Sequence, residues 1–284
     1  MGPLDGKVAV VIGASRGIGK GIALEAASAG ATVYVAGRSV GNGAGVEPGS
    51  LGETVADIEA AGGRAFGIRC DTSEDSDLVA LYDQVAGEQG RLDLVAHSAF
   101  NMSSFGPTIG RNLWELPAGL LGDLMRTSAS GAYASAVRAV PLMITGGGGL
   151  IVHVSGRGAA RYRYNTAYGM DKAAMDKLTS DLAHELRPHR VAVVSLWPSV
   201  VRTERNQPPS GVDEYGWPDP QRPADDLETP RYSGRAVVAL AGDAEVMART
   251  GRKWWTAELA AHYGFTDEHG RAHPVPAETD PGLA

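Results

Sequence analysis

The chemistry most plainly on offer in this chain lies in a tyrosine, a lysine and a serine. Tyr168 and Lys172 stand four residues apart in the run Y-G-M-D-K, and Ser155 lies 13 residues before the tyrosine. Residues four apart share one face of a helix, so the phenol and the ammonium group would reach the same reactant. A free tyrosine titrates near ~10 and exchanges protons poorly at neutral pH; a nearby positive charge lowers that value. Taken alone the pair is weak, because a helical Tyr and Lys at this spacing usually belong to a solvated face.

A second motif at the other end of the chain strengthens it. Gly13-Ala14-Ser15-Arg16-Gly17-Ile18-Gly19 follows the apolar run Val8 to Ile12 and precedes a helical pattern from Ile18 to Ala29. A strand, a glycine-rich turn and a helix form a phosphate cradle. Glycines let the backbone approach a pyrophosphate, and the helix N-terminus offers free N–H groups and a partial positive charge. The spacing is G-x-x-x-G-x-G and not G-x-G-x-x-G, but the strand-to-helix context is the one that supports phosphate binding.

These groups need a frame to hold them. Apolar strand-like runs near 7–12, 32–36, 65–69, 92–97, 149–154, 190–196 and 252–255 alternate with helical patterns near 18–29, 51–61, 75–89, 118–143, 168–186 and 232–241. That alternation predicts one α/β domain, a doubly wound Rossmann-type parallel sheet with helices on both faces. A chain of 284 residues is long enough to bury such a core. Two loops stand out: the glycine-rich residues 40–52, and residues 204–230, which are rich in proline and acidic side chains. Loops of that length are usually lids or disordered segments. Residues 256–284 read as a polar tail with a short helix near 257–262.

Composition narrows the partners. No apolar run approaches the ~18 residues that span a bilayer, and the N-terminal stretch lacks an apolar signal core. A cytoplasmic protein with no membrane partner is expected. A net charge of −7 argues against nucleic acid. The single Cys70 cannot form an internal disulfide and is expected to be a buried strand-end residue. No metal site is expected.

The glycine turn, the spacing of Ser155, Tyr168 and Lys172, and the order of elements together resemble the short-chain dehydrogenase/reductases over about residues 5–255. The segments Y162-R-Y-N-T-A-Y-G-M-D-K-A-A, A183-H-E-L-R-P-H, V194-S-L-W-P, V201-R-T-E and S233-G-R-A-V-V-A-L-A are similar to the branch that includes the mammalian dehydrogenase/reductase member 1. The resemblance implies an oxidoreductase that interconverts a carbonyl and an alcohol on a small molecule. Tyr168 would be the proton donor or acceptor. Lys172 would lower its pKa and hold the nicotinamide ribose, and Ser155 would orient and polarise the carbonyl. It also implies a homodimer or homotetramer through the helices near 118–143 and 168–186, with residues 204–230 as a substrate lid.

The cofactor can be narrowed. Gly13, Ser15, Arg16, Gly17, Ile18 and Gly19 would cradle the dinucleotide phosphates. Enzymes choosing NAD usually carry a carboxylate at the end of the second strand, whereas an arginine accommodates the 2′-phosphate of NADP. Here Gly37 is followed by Arg38, and Arg16 lies in the turn itself. Guanidinium groups are planar, permanently charged and bidentate. NADP(H) is therefore favoured, with NAD(H) the alternative. By the same resemblance residues 40–52 would border the adenosine end, Asp71 would face the adenine, and Thr203 in the stretch 198–203 would contact the nicotinamide amide. Ser199 stands where the family usually has glycine.

Three departures bear on function. His97-Ser98-Ala99-Phe100 replaces the usual Asn-Asn-Ala-Gly, which puts a bulky ring beside the cofactor. His97 reads as a hydrogen-bonded core histidine, with a proton relay as the alternative. Ser128 stands 27 residues before Ser155, where many members carry an asparagine that holds a relay water. The loop after Ser155 carries Arg157, Arg161 and Arg163 with Tyr162 and Tyr164, which suit an acidic or aromatic substrate or a solvated surface equally. Trp114, Trp197, Trp217, Trp254 and Trp255 could add aromatic walls, with Trp197 expected in the core. Two other functions stay open: a non-redox lyase, dehydratase, isomerase or tailoring enzyme on the same fold, motivated by these departures, and a non-catalytic cofactor-binding protein, disfavoured by the intact Ser155, Tyr168 and Lys172.

Overall fold

Strands whose residues are apolar on both faces must be covered on both faces, and this requirement organises the molecule. The computed structural model describes residues 2–41, 48–205, 211–212, 218–221, 223 and 226–276. All five residues of β1 (Val8–Ile12) are buried. It is followed by β2 (Thr32–Gly37), β3 (Arg64–Arg69), β4 (Leu94–His97), β5 (Gly149–Val154), β6 (Val191–Trp197), the two-residue strands β7 (Gly211–Val212) and β8 (Pro218–Asp219), and β9 (Lys253–Trp255). Seven of these form one sheet in the order β3-β2-β1-β4-β5-β6-β9, and β7 and β8 pair with each other. Every ladder of the large sheet is parallel. The doubly wound sheet expected from the sequence is therefore present, with all seven expected strands.

Alternate residues of β1 face opposite layers, as the two-residue period of a strand requires. Ala9 and Val11 join one core with Ile22, Val33, Val194 and Val237. Val8, Val10 and Ile12 join the other with Leu78, Val85, Ala139 and Leu186. The covering helices are α1 (Gly17–Ser28), α2 (Leu51–Ala60), α3 (Asp75–Gln89), the single-turn α4 (Met102–Phe105), α5 (Leu120–Thr127), α6 (Ala129–Thr145), α7 (Thr166–Leu186), α8 (Pro230–Gly242) and α9 (Thr256–Tyr263). None of the described helices is long and apolar enough to cross a membrane. Helices α1 and α8 touch backbone to backbone. A Cβ added at Gly21 would lie 2.1 Å from the Pro230 carbonyl oxygen, and one at Gly234 would lie 2.4 Å from that of Gly21.

The single helix expected near 118–143 is two helices. Ser128 breaks it with φ −97° and ψ −90°, outside the helical range. Its hydroxyl turns inward to buried acceptors instead of facing solvent. A serine side chain that bonds locally competes with the helix backbone in this way.

Strand order reverses between β1 and β4, and the crevice at the carboxyl ends of such strands is where this class of sheet binds ligands. The turns following β1, β2, β3, β4, β5 and β6 carry Gly13, Arg38, Asp71, Ser98, Ser155 and Pro198 in succession. Much of the stretch expected to be a lid (206–210, 213–217, 222 and 224–225), residues 42–47 of the glycine-rich loop, Trp217 and the last residues 277–284 lie outside the described residues.

Candidate active site

Glycine shapes the cofactor end. Gly13 has φ +84°, and a Cβ there would sit 2.7 Å from the Ala99 backbone nitrogen. The turn after β1 is thus pressed against the segment after β4, and no side chain fits between them. Gly17 opens α1 with φ +54°, and a Cβ on it would meet the Thr203 methyl at 3.3 Å. The Gly17 N–H donates to the Glu204 carboxylate at 2.8 Å. An anion accepted at a helix N-terminus is what the free amides and the helix dipole favour. Arg16 donates from Nε to the Pro48 carbonyl (2.7 Å) and from Nη2 to those of Gly49 (2.5 Å) and to Ser39 Oγ (3.3 Å). Burial lowers its pKa, with Glu204 opposing. Asp71 accepts from the Ser73 N–H (3.1 Å) and hydroxyl (2.8 Å). Burial pushes its pKa up, but the Ser73 bonds with Arg38 and Arg69 outweigh burial and leave it lowered.

Tyr168 is placed by the start of α7. The Asn165 side chain accepts from the Tyr168 N–H at 3.0 Å, and its amide donates to Thr108 Oγ1 at 3.1 Å. This cap starts the helix at Thr166, two residues before the expected start, and fixes the first turn. Gly158 leaves no gap above the ring: a Cβ there would lie 2.4 Å from Tyr168 Cε1. Phe100, Phe105 and Tyr164 surround the phenol with ring centroids 5.1–5.9 Å away. Lys172 points its Nζ over the Phe100 ring at 4.5 Å and the Tyr168 ring at 5.6 Å. Ser155 donates its hydroxyl to the Lys172 carbonyl at 3.2 Å.

One cavity of about 810 Å³ joins the two ends. Gly13, Ser15, Arg16, Gly17, Ile18, Arg38, Asp71 and Thr203 line it with Ser155, Tyr168 and Lys172. Of the expected site residues only Gly19 is off its wall; a Cβ on Gly19 would sit 2.2 Å from the Gly13 carbonyl oxygen, so it packs the turn from behind. A glycine cradle continuous with the tyrosine, lysine and serine in one cavity of this size can accommodate a dinucleotide. Comparison with known proteins agrees with this geometry: residues 7–210 match the family model for short chain dehydrogenase. The chain belongs to the short-chain dehydrogenase/reductase family. It is 38% identical over 276 residues to human dehydrogenase/reductase SDR family member 1, covering 95% of this chain and 85% of that one. A crystal structure from Xanthomonas campestris matches with a TM-score of 0.79 at 26% identity, over 96% of this chain and 94% of that one. Carveol dehydrogenase from Mycobacterium avium, solved in complex with NAD, shares the fold with a TM-score of 0.75 at 24% identity, over 90% and 97% of the two chains. This short-chain dehydrogenase/reductase is an NAD(P)-dependent oxidoreductase of the alcohol–carbonyl class, acting on small molecules.

Several expectations change once the family member is seen in three dimensions. The Tyr168 phenol has its pKa raised, not lowered: burial dominates, and the opposing cation is Arg163 and not Lys172. The Ser155 hydroxyl meets the Lys172 backbone carbonyl, because a carbonyl in mid-helix keeps a second lone pair to accept with. His97 donates from Nε2 to the Thr127 carbonyl (3.2 Å), and burial pushes it down to about 4, so it is a neutral core histidine away from the cavity. Cys70 is buried at the end of β3, as expected, with its thiol pushed up to about 12 by burial. In the arginine loop Arg157, Arg163 and Tyr164 line the cavity, while Arg161 does not and Tyr162 is exposed. Of the tryptophans within the described residues, Trp255 lines the cavity, Trp197 is core, and Trp114 is 83% exposed.

Four contributors escaped sequence reasoning: Asn165, Phe105, Asp171 and Glu228. Asn165 carried a signal, an Asx residue three before a motif tyrosine at a helix start. Glu228 is fully buried, accepts from the Ser199 N–H at 3.2 Å, and has its pKa raised to about 8 by burial. It holds the loop after β6 from behind, and nothing in its sequence surroundings marks that role.

Proposed function

We propose that this chain is an NADP(H)-preferring carbonyl reductase or alcohol dehydrogenase in which Tyr168 exchanges the proton, with Lys172 and Ser155 assisting. The observation that carries the reading is one cavity wall bearing the phenol, the ammonium, the serine hydroxyl and the glycine turn. When bound, the nicotinamide supplies or accepts the hydride. Tyr168 gives its proton to the carbonyl oxygen as that hydride arrives, a contribution worth roughly 10²–10⁴-fold. Its raised pKa keeps the phenol protonated at neutral pH, the state a proton donor needs. The Lys172 ammonium on the same wall steadies the phenolate that forms. The Ser155 hydroxyl must turn from the Lys172 carbonyl to reach a substrate oxygen.

Three guanidiniums support the 2′-phosphate preference. Arg16, Arg38 and Arg205 all line the cavity, and each of Arg16 and Arg38 lowers the Arg205 pKa after the larger effect of burial. Like charges gathered on one cavity wall favour an anion there. Arg157 and Arg163 near Tyr168 support an acidic or aromatic substrate. The exposed apolar side chains Tyr133 and Val137 on α6 and Met170 on α7 support a homodimer or homotetramer through those helices. Glu204 and Arg205 on the cavity wall support residues 204–230 as a lid over it.

A panel of aromatic and carboxylate-bearing carbonyls, with NADPH and NADH consumption followed by absorbance, tests the reading. Turnover with a preference for NADPH is expected. Cofactor binding without turnover of any carbonyl or alcohol would favour a lyase, isomerase or non-catalytic role, and tighter NADH binding would remove the arginine argument.

A further inference from the structure

Behind the reacting groups lies a charge that the mechanism above does not use. Asp171 is fully buried. Its Oδ1 meets the Ser128 hydroxyl, and its Oδ2 has no hydrogen-bond partner among the described residues but faces Lys172 Nζ at 3.7 Å. The Ser128 hydroxyl has one hydrogen and two acceptors in reach, Asp171 Oδ1 and the Leu124 carbonyl oxygen at 3.0 Å. The charged acceptor makes the stronger bond. Ser128 can offer it because it stands at the break between α5 and α6, with its side chain fully buried.

Lys172 is itself buried, and an ammonium taken out of water sheds its proton unless something opposes the loss. The groups facing it come from three sides. From α7 come Asp171, Tyr168 and, one turn on, Asp176, whose Oδ1 accepts from Ser195 Oγ (2.6 Å) and Trp197 Nε1 (3.2 Å). From the end of β4 come His97 and the Phe100 face at 4.5 Å; from the end of β5 comes Ser155. Burial lowers the Lys172 pKa, and Asp171 is the largest influence raising it, ahead of Asp176. The Phe100 ring adds a cation–π attraction.

We infer that Asp171 is a positioning residue of this site: pinned by the Ser128 hydroxyl, its carboxylate keeps Lys172 charged and aimed along the cavity wall beside Tyr168. The inference deepens the proposed proton transfer and rests on it for its catalytic meaning. The Lys172 charge itself can be read without turnover.

The chain has five lysines, so [ε-¹³C]lysine labelling gives five NMR signals, with Lys172 assigned through Lys172→Met. Wild-type Lys172 should be protonated at pH 7. In Asp171→Asn its titration midpoint should fall by about one to three pH units, the effect of removing an opposite charge at this range, while the other lysines hold. His97, at about 4, is neutral throughout that window. The alkaline limb of kcat/KM should move down with the midpoint, whereas a merely structural role would lower the rate evenly at every pH. A wild-type Lys172 found neutral at pH 7, or a midpoint unmoved in Asp171→Asn, overturns the inference. If Asp171→Asn does not fold, the wild-type signal decides. If no carbonyl is turned over, the proposed function fails while the titration still answers for Asp171.

Discussion

The two ends of the cavity are made of different materials. The cofactor end is built from backbone: left-handed glycines, a helix terminus and close main-chain approaches from a segment after β4. The reacting end is built from side chains that meet in a buried space, namely an aromatic box around Tyr168, an ammonium over Phe100 and a carboxylate behind it. A backbone-built site tolerates little but leaves its mark locally, because only glycine fits. A side-chain-built site depends on residues far apart in the sequence, here Ser128 with Asp171 and Phe100 with Lys172. The first end is fixed by what is missing at a position, the second by what has been added.

Tyr168→Phe should separate the two ends most sharply. Turnover should fall by roughly 10²–10⁴-fold while NADPH affinity changes by less than about twofold, read from initial rates and fluorescence titration. Survival of most of the activity would remove Tyr168 as the acid. A single added methyl should then have opposite consequences at the two ends. Gly158→Ala drives into the Tyr168 ring and should cost kcat on the order of 10²-fold by displacing the phenol, with cofactor binding kept. Gly13→Ala should instead lower stability by roughly 1–3 kcal/mol and weaken NADPH binding, seen in thermal melts with and without cofactor. If both substitutions lowered kcat and affinity alike, the division between the ends would not hold.

A smaller effect is expected from Arg38→Ala. It should weaken NADPH by about tenfold, the worth of one charged hydrogen bond, and leave NADH untouched. A separate pH effect is expected behind the loop after β6. The Glu228 pKa is raised in the folded state to about 8, above its unfolded value near ~4.3. The folded protein therefore holds the proton more tightly. The stability this gives is complete below pH ~4, declines as the pH rises towards 8, and is gone above it. The melting temperature should fall between pH 5 and pH 8, and Glu228→Gln should flatten that slope. A slope unchanged in Glu228→Gln would assign the pH dependence elsewhere.

The sheet was legible because its strands are apolar runs with helices between them, a pattern carried by each segment on its own. The glycine turn and the Ser155, Tyr168 and Lys172 spacing were legible for the same reason. The break at Ser128 was not, since it depends on Asp171, 43 residues away, offering an acceptor inside the core. Asp171 stood in plain view within Y-G-M-D-K, but its burial is a property of three packed helices and not of the motif. The raised Tyr168 pKa was missed because spacing reports the neighbouring lysine and says nothing of the aromatic box that removes water from the phenol.

Val201 and Glu228 are bridged as parallel partners, with the Glu228 N–H on the Val200 carbonyl at 3.1 Å and the Arg202 N–H on the Glu228 carbonyl at 2.9 Å. The chain at Val201 and the chain at Glu228 are thus held together at one point. From there the chain enters α8, which is locked against α1 by facing glycines. Lengthening a segment whose ends are already joined costs little, about 0.6 kcal/mol for each doubling of a flexible loop. A graft of the intervening segment from a relative therefore has a natural pair of splice points at this bridge.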